Sequence, residues 1–383
     1  MFNILEEFQV DRKTRELIKL TLTDTSSKVK FLGEISEPFV IKTGVRQGDG
    51  LSPLLFNLVL EKVIREWQKE TKGINIGRLR KDKIHLDCLA FADDLAILSN
   101  NRQEAIQSIE KLHEIAAKCG LQISFEKTQF MEGTKSRFDN QPLITKYGTI
   151  SQVDKFKYLG EIIQPAGINQ EANRERTGKL QRAYKITWNR YNKKSISKNA
   201  KLQHYNTVIK PEALYASETL IIGGRSQMKN IEKQERNILR KILGPKFENG
   251  IWMKKTPQEI YQVTEKITDT IRKRRLKFYG HIHRMDSNRL TKKILKLALT
   301  LKIRNNWLTE IHEDLQEIGI DDKTIKEKVK FRNLVNQHKF AEKPKRKHTG
   351  WTEERRKEHS ARMKRYWEDK KKNIVLNKFK RAP

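Results

Sequence analysis

Along the first 165 residues the apolar positions change period several times. Ile4, Leu5, Phe8, Leu17, Ile18 and Leu20 recur at roughly helical spacing and predict a helix over 2–22. "KVKFLGEISEPFVIKTG" alternates like two short strands joined around Glu34 to Pro38. Ser52 followed by Pro53 reads as an N-cap and first turn, opening a helix to about Lys69 that is apolar at Leu54, Leu55, Leu58, Val59, Val63 and Trp67. Strand-like runs follow over 74–79 and 84–98, the second broken at Asp93-Asp94. Ala105, Ile109, Leu112 and Ala116 predict a helix from about Asn101 to Lys118, with Gly120 at its C′ position. "LQISFEKTQFM" and "FKYLGEIIQ" read as further strands, so residues 1–165 form one domain of α+β class.

Beyond residue 166 the pattern turns to basic helices over 174–191, 200–220, 227–243 and 263–279, each expected to bury one face and leave the other positive. The organisation expected is therefore 1–165, a helical region 166–245, a second helical region 246–341, and a basic tail 342–383 that becomes helical around 352–371 when bound. Charge follows the same division. Residues 1–165 carry 25 Lys and Arg against 23 Asp and Glu, whereas 166–383 carry 55 against 24. A polycation of that size favours a polyanion, and nucleic acid leads because phosphate contacts release counterions. No apolar run approaches the ~20 residues of a membrane span, and the N-terminus lacks a secretory pattern, so an intracellular chain without a membrane partner is expected. Cys88 and Cys119 are too few for a disulfide framework or a Cys-rich zinc module and read as core residues.

Chemistry concentrates in "CLAFADDLAILS". Two adjacent carboxylates between two apolar runs need a reason, because like charges repel and burial without a partner is costly. In a continuous strand Asp93 and Asp94 would face opposite ways, so a tight turn between two buried strands is the economical way to present both at one edge. Such a turn is either a polar hairpin tip or a carboxylate pair for Mg2+ in phosphoryl transfer. About 40 residues upstream, "TGVRQGDGLSP" brings Gly44, Gly48 and Gly50 to a helix N-terminus, with Arg46 and Gln47 as donors. That loop fits neither a P-loop nor a dinucleotide fingerprint.

Together these segments resemble the reverse transcriptases of non-LTR, LINE-type retrotransposons, with an insect-like cast. "GVRQGDGLSPLLFNLVLE" is similar to palm motif B, "AFADDLAILS" to motif C, "GLQISFEKTQFM" to motif D and "YLGEII" to the primer-grip motif E, in matching order over about residues 5–165. "RRLKFYGHIHRMDSNRLTKKIL" is similar to the C-terminal region of insect-type elements. The resemblance implies a reverse-transcriptase palm, part of its antiparallel sheet with helices, followed by a helical thumb and a basic C-terminal region. It implies RNA-directed DNA polymerase activity on an RNA template, a DNA primer or target DNA, and dNTPs, with Mg2+ or Mn2+. By the same resemblance Asp93 is a metal ligand and Asp94 a supporting carboxylate. Arg46, Gln47 and Gly48 line the incoming nucleotide and template, with Ser52 and Pro53 fixing the helix behind. Lys127 protonates the departing pyrophosphate, and Tyr158, Leu159 and Gly160 grip the primer. Ser124 stands where the family usually has Asn.

Motif A, whose aspartate lies roughly 60 residues before the Arg-Gln-Gly segment in the family, has no counterpart, since neither Asp11 nor Asp24 has the required strand around it. The expectation is an N-terminally truncated enzyme, inactive alone, or else a non-catalytic nucleic-acid-binding remnant. His281 and His283, at i, i+2 without further ligands, read as surface or packing residues rather than a zinc site. In the tail, Arg355, Arg356, Arg362, Arg365 and Trp367 are either phosphate and stacking contacts or a solvated surface, and Pro344 to Lys347 reads as a nuclear-import patch.

Overall fold

The computed structural model describes residues 1–341 apart from 24, 42–43, 78–82, 134–139, 166–169, 194, 221–224 and 301–306. Met1–His338 pack as one unit, and Lys339–Pro383 form a second. The tail contacts expected at Arg355, Arg356, Arg362, Arg365 and Trp367, and the patch at Pro344 to Lys347, lie outside the described residues.

The expected first helix is two: α1 (Phe2–Glu7) and α2 (Arg12–Leu22). Gln9 breaks the run at φ 57°, and the Asp11 side chain accepts from the Thr14 amide at 3.0 Å, capping a fresh start. Ile4, Leu5 and Ile18 are buried, whereas Leu17 and Leu20 face solvent. The following segment makes two small pairings rather than one hairpin. β1 (Ser26–Ser27) pairs with β4 (Phe39–Val40), enclosing β2 (Lys30–Phe31) and β3 (Glu34–Ile35). The turn falls at Leu32 and Gly33, not at Glu34 to Pro38, because these two residues adopt the positive φ, 49° and 93°, of a two-residue hairpin loop.

α3 (Ser52–Gln68) begins one residue earlier in its capping frame than expected. Leu51 is the N-cap, and the Asp49 carboxylate accepts from the Leu51 amide at 3.1 Å. Ser52 is thus the first helical residue, buried, with its hydroxyl unpaired. Leu55, Val59, Val63 and Trp67 form the buried stripe, while Leu54 is 58% exposed. α4 (Arg102–Lys118) agrees with its sequence signals. Asn101 caps the Glu104 amide, Gly120 has φ 78°, and the Leu121 amide reaches the Ala116 carbonyl at 2.9 Å. The two helices pack through Val63, Trp67, Leu112, Ile115 and Ala116, and the Trp67 indole donates to the Ser108 carbonyl at 2.8 Å.

One continuous antiparallel sheet does not form among the described residues. The strands make seven small sheets, six of them two-stranded, and β11 (Thr149–Gln152) pairs in parallel with β9 (Gln129–Phe130). "LQISFEKTQFM" is mostly a turn, in which Thr128 bonds back to the Ser124 carbonyl, with only Gln129–Phe130 in a strand. "FKYLGEIIQ" is a hairpin rather than one strand. The mixture of helices with small sheets is compatible with the α+β class.

The second half is helical. α5 (Gln170–Tyr191), α6 (Lys198–His204), a π-helical turn Tyr205–Ile209, α7 (Lys210–Leu214) and α8 (Arg225–Leu243) surround a core including Leu180, Tyr205, Ile209, Leu239 and Ile260. The run expected over 200–220 is interrupted after Leu214, where Ala216 takes φ 48°. Sequence periodicity also missed the hairpin of β14 (Lys246–Glu248) and β15 (Ile251–Met253), and the helices α11 (Leu290–Thr300), α12 (Trp307–Ile318), α13 (Asp322–Lys326) and α14 (Lys328–Gln337).

The largest correction concerns α10 (Ile267–Arg284). Its basic residues are not an outward face. Arg272 and Arg275 are buried, and both donate to Asp314 of α12, at 2.6 Å each, with Glu317 and Glu310 as further partners. Lys273 donates to the Asn336 carbonyl and pairs with Glu265, each at 2.6 Å. Since α10 packs against α8, α11, α12, α13 and α14, its charges have to be neutralised internally.

Candidate active site

β7 (Cys88–Phe91) and β8 (Asp94–Ile97) form the hairpin that carries the acid pair. Phe91 lies opposite Asp94, leaving Ala92 and Asp93 as a two-residue loop, and Ala92 takes φ 49°. One face of the hairpin, with Cys88, Leu95 and Ile97, packs on the α3–α4 core. The other is open: Leu89 is 43% exposed and Phe91 64%. The expected pair of buried strands is therefore half exposed, because this two-stranded sheet has a core on one side only. Asp93 and Asp94 are both solvent-exposed, Asp93 in the loop and Asp94 opposite Phe91 on the open face. Burial holds the Cys88 thiol up at about 11, so it behaves as a packing group.

A second hairpin touches this one through a hydrogen bond. β12 (Phe156–Tyr158) and β13 (Glu161–Ile163) are joined by Leu159 and Gly160, at φ 47° and 82°. The Tyr158 hydroxyl donates to the Leu89 carbonyl at 3.3 Å. Partial burial raises the Tyr158 phenol, and the nearby Asp94 charge adds to it. The structure thus brings Tyr158 and the acid-bearing hairpin together, across 69 residues of sequence.

Arg176 of α5, which sequence reading did not single out, fixes this second hairpin. It is buried, donates to Glu161 at 2.5 Å, and reaches the carbonyls of Ala213 at 3.2 Å and Tyr215 at 2.5 Å. The Tyr215 hydroxyl in turn donates to the Leu159 carbonyl at 2.7 Å. Burial pulls the Arg176 guanidinium down and pushes the Glu161 carboxyl up, each opposed by the other's charge. No local signal marks Arg176, whose partners lie up to 40 residues away and whose helix is basic throughout.

The loop before α3 is exposed from Gly44 to Gly50, with Gly48 at φ 91° and the Asp49 amide turned back to the Arg46 carbonyl. Arg46, Gln47 and Pro53 are exposed, as is Lys127 in its turn. Among the described residues no hydrogen bond or ion pair joins Arg46, Gln47 or Lys127 to Asp93 or Asp94. His281 is exposed, whereas His283 is partly buried 3.9 Å from Asp322, and burial lowers its imidazole.

The family resemblance implies a divalent metal ion. Two exposed carboxylates suit one hard cation, but no group of three or more His, Cys, Asp or Glu capable of holding a metal occurs among the described residues. The donors among the described residues therefore fall short of a two-ion site. No helix of the described residues is long and apolar enough to cross a membrane.

Residues 1–163 match the family described as reverse transcriptase (RNA-dependent DNA polymerase). The chain is 27% identical over 172 residues to the Pol polyprotein from type-1 retrotransposable element R2 of Popillia japonica, covering 43% of this chain and 28% of that protein. It is 24% identical over 299 residues to the RNA-directed DNA polymerase from mobile element jockey of Drosophila funebris, covering 75% of this chain and 29% of that protein. The chain thus spans less than a third of the length of either relative. The jockey alignment is too long to be confined to residues 1–163, so likeness continues into the helical half. With four motifs in order and the Asp-Asp turn on an exposed hairpin, residues 1–163 of this chain match the reverse transcriptase family, and the chain is similar to the proteins of the retrotransposable element R2 and the mobile element jockey.

Proposed function

We propose that the chain is part of an RNA-directed DNA polymerase that extends a DNA primer along an RNA template, using dNTPs and Mg2+ or Mn2+. In this reading residues 1–165 are a partial palm, 166–245 a thumb-like region, 246–341 a basic C-terminal region and 342–383 a nucleic-acid-contacting tail. Asp93 is a metal ligand and Asp94 its supporting carboxylate. Arg46, Gln47 and Gly48 face nucleotide and template, with Ser52 and Pro53 behind them, and Lys127 serves the leaving pyrophosphate. Tyr158, Leu159 and Gly160 grip the primer. In this reading the protein works in the nucleus, with Pro344 to Lys347 as its import patch.

One observation carries the reading. The Tyr158 hydroxyl bonds the Leu89 carbonyl of the strand that leads into the exposed Asp93-Asp94 tip, so in this reading the primer-gripping hairpin stands beside the acid pair. The glycine loop before α3 supports it, because exposed backbone amides beside a helix N-terminus favour anions.

The test is Mg2+-dependent extension of oligo(dT) on poly(rA), with wild type and Asp93→Asn compared. Once an N-terminal fragment carrying motif A is added, extension by wild type that vanishes in D93N is expected, and undiminished extension by D93N overturns the assignment. That no third carboxylate joins Asp93 and Asp94 among the described residues favours a second reading, a non-catalytic nucleic-acid binder. That reading expects no extension from wild type, together with binding that weakens steeply as salt rises.

A further inference from the structure

The β14–β15 hairpin has two unlike faces. Lys246 on one face pairs with Glu259 of α9 (Pro257–Tyr261) at 2.5 Å and with Glu248 at 2.8 Å, which holds the Glu259 carboxyl down at about 2 and ties the hairpin to the helices. The Arg240 side chain donates to the Lys255 carbonyl at 3.2 Å and fixes the exit of β15. The opposite face carries Phe247 directly across from Trp252, with ring centroids 5.1 Å apart and planes tilted by 53°. Trp252 is 68% exposed and Phe247 58%. The turn between them, Asn249 and Gly250 at φ 51° and 78°, holds the two strands in the register that puts these rings side by side. Lys254, two residues beyond Trp252, is exposed and has no hydrogen bond or ion pair among the described residues.

We infer that the Phe247–Trp252 face is a stacking site for unpaired bases of single-stranded nucleic acid, with Lys254 meeting the phosphate beside it. This rests on the reading that the chain handles nucleic acid. Rings held rigidly by a hairpin and open to solvent offer a π-face to any base, and an exposed cation two residues along the chain from Trp252 supplies the charge complement. A half of the chain with 55 Lys and Arg against 24 Asp and Glu sets the same sign over the surroundings. A protein partner is the competing occupant, but the free lysine at the rim is spent better on a phosphate than on an apolar contact.

The test uses the full chain and two ligands, a labelled oligo(U) and a blunt-ended, fully paired RNA duplex. Trp252→Ala is expected to weaken oligo(U) binding about tenfold while leaving the duplex unchanged, and Trp252→Phe is expected to keep most of the affinity. Equal oligo(U) affinity in Trp252→Ala, or an equal loss on the duplex, overturns the inference. So does self-association in sedimentation that Trp252→Ala abolishes without touching oligo(U), which assigns the face to a protein contact. Unmutated protein gives an independent readout. Oligo(U) carrying 5-iodouracil is expected to crosslink at Phe247 or Trp252, and crosslinks confined to other positions refute the site. These binding readouts do not depend on Asp93, so failure of the polymerase reading in the D93N assay is distinct from failure here.

Discussion

Arg176 and Glu161 form an ion pair at 2.5 Å that joins α5 to the hairpin bearing Tyr158. The same guanidinium also bonds the Ala213 and Tyr215 carbonyls, so one buried cation holds three chain segments. Removing one partner of such a pair leaves an uncompensated charge. Arg176→Met is therefore expected to cost about 3 kcal/mol or more of stability in urea unfolding. Arg176→Lys, with a single ammonium in place of a planar fork, is expected to fall between the two. A midpoint unchanged in Arg176→Met removes this clamp from the account.

Gly160 meets the same clamp from the other side. Its φ is 82°, and a Cβ there would stand 3.1 Å from Tyr215 Cε1. Gly160→Ala is expected to destabilise by about 1–2 kcal/mol, part from the left-handed backbone and part from the ring. In a Tyr215→Ala background only the backbone part remains, so the two substitutions should be non-additive in a double-mutant cycle. Strict additivity contradicts the contact.

Asp314 accepts from both Arg272 and Arg275 and is fully buried. Asp314→Ala leaves two buried guanidiniums without their shared partner, with only Glu317 and Glu310 beside them, and is expected to cost about 3 kcal/mol. A fall of less than about 1 kcal/mol in the unfolding free energy, typical of exposed pairs, means that water reaches this network.

Asp269, in the first turn of α10, has its carboxyl raised to about 6 by burial, against the pull of Lys266 and Arg272. Its folded value stands above its unfolded one, so protonation favours the folded state. The stabilisation is complete below about pH 4 and is lost as pH rises through about 6. Unfolding midpoints of wild type should therefore decline relative to Asp269→Asn across that window and run parallel above it. A difference that is flat from pH 4 to 6 counts against the raised carboxyl.

Local chemistry was legible wherever one short segment supplied both signal and partner. Asn101 and Gly120 bracket α4 because cap and turn are satisfied within a few residues. The Asp93-Asp94 turn followed from the strand period, which cannot send two neighbours to one edge without a loop. The break between α1 and α2 was present in the Asp11 and Thr14 pairing, but the apolar spacing of Phe8 and Leu17 masked it.

What this sequence determined by itself was the family motifs, their order, and an acid pair at a hairpin tip, since these depend on residue types a few positions apart. Only the tertiary structure decided which charges are available. α10 reads as a basic surface, yet Asp314 and Glu310 of a helix some 40 residues on absorb its arginines. Arg176 likewise acquires its meaning from Glu161 and the Ala213 to Tyr215 carbonyls, which only folding brings within reach. An electrostatic role belongs to a pair, and a linear pattern names at most one member of it.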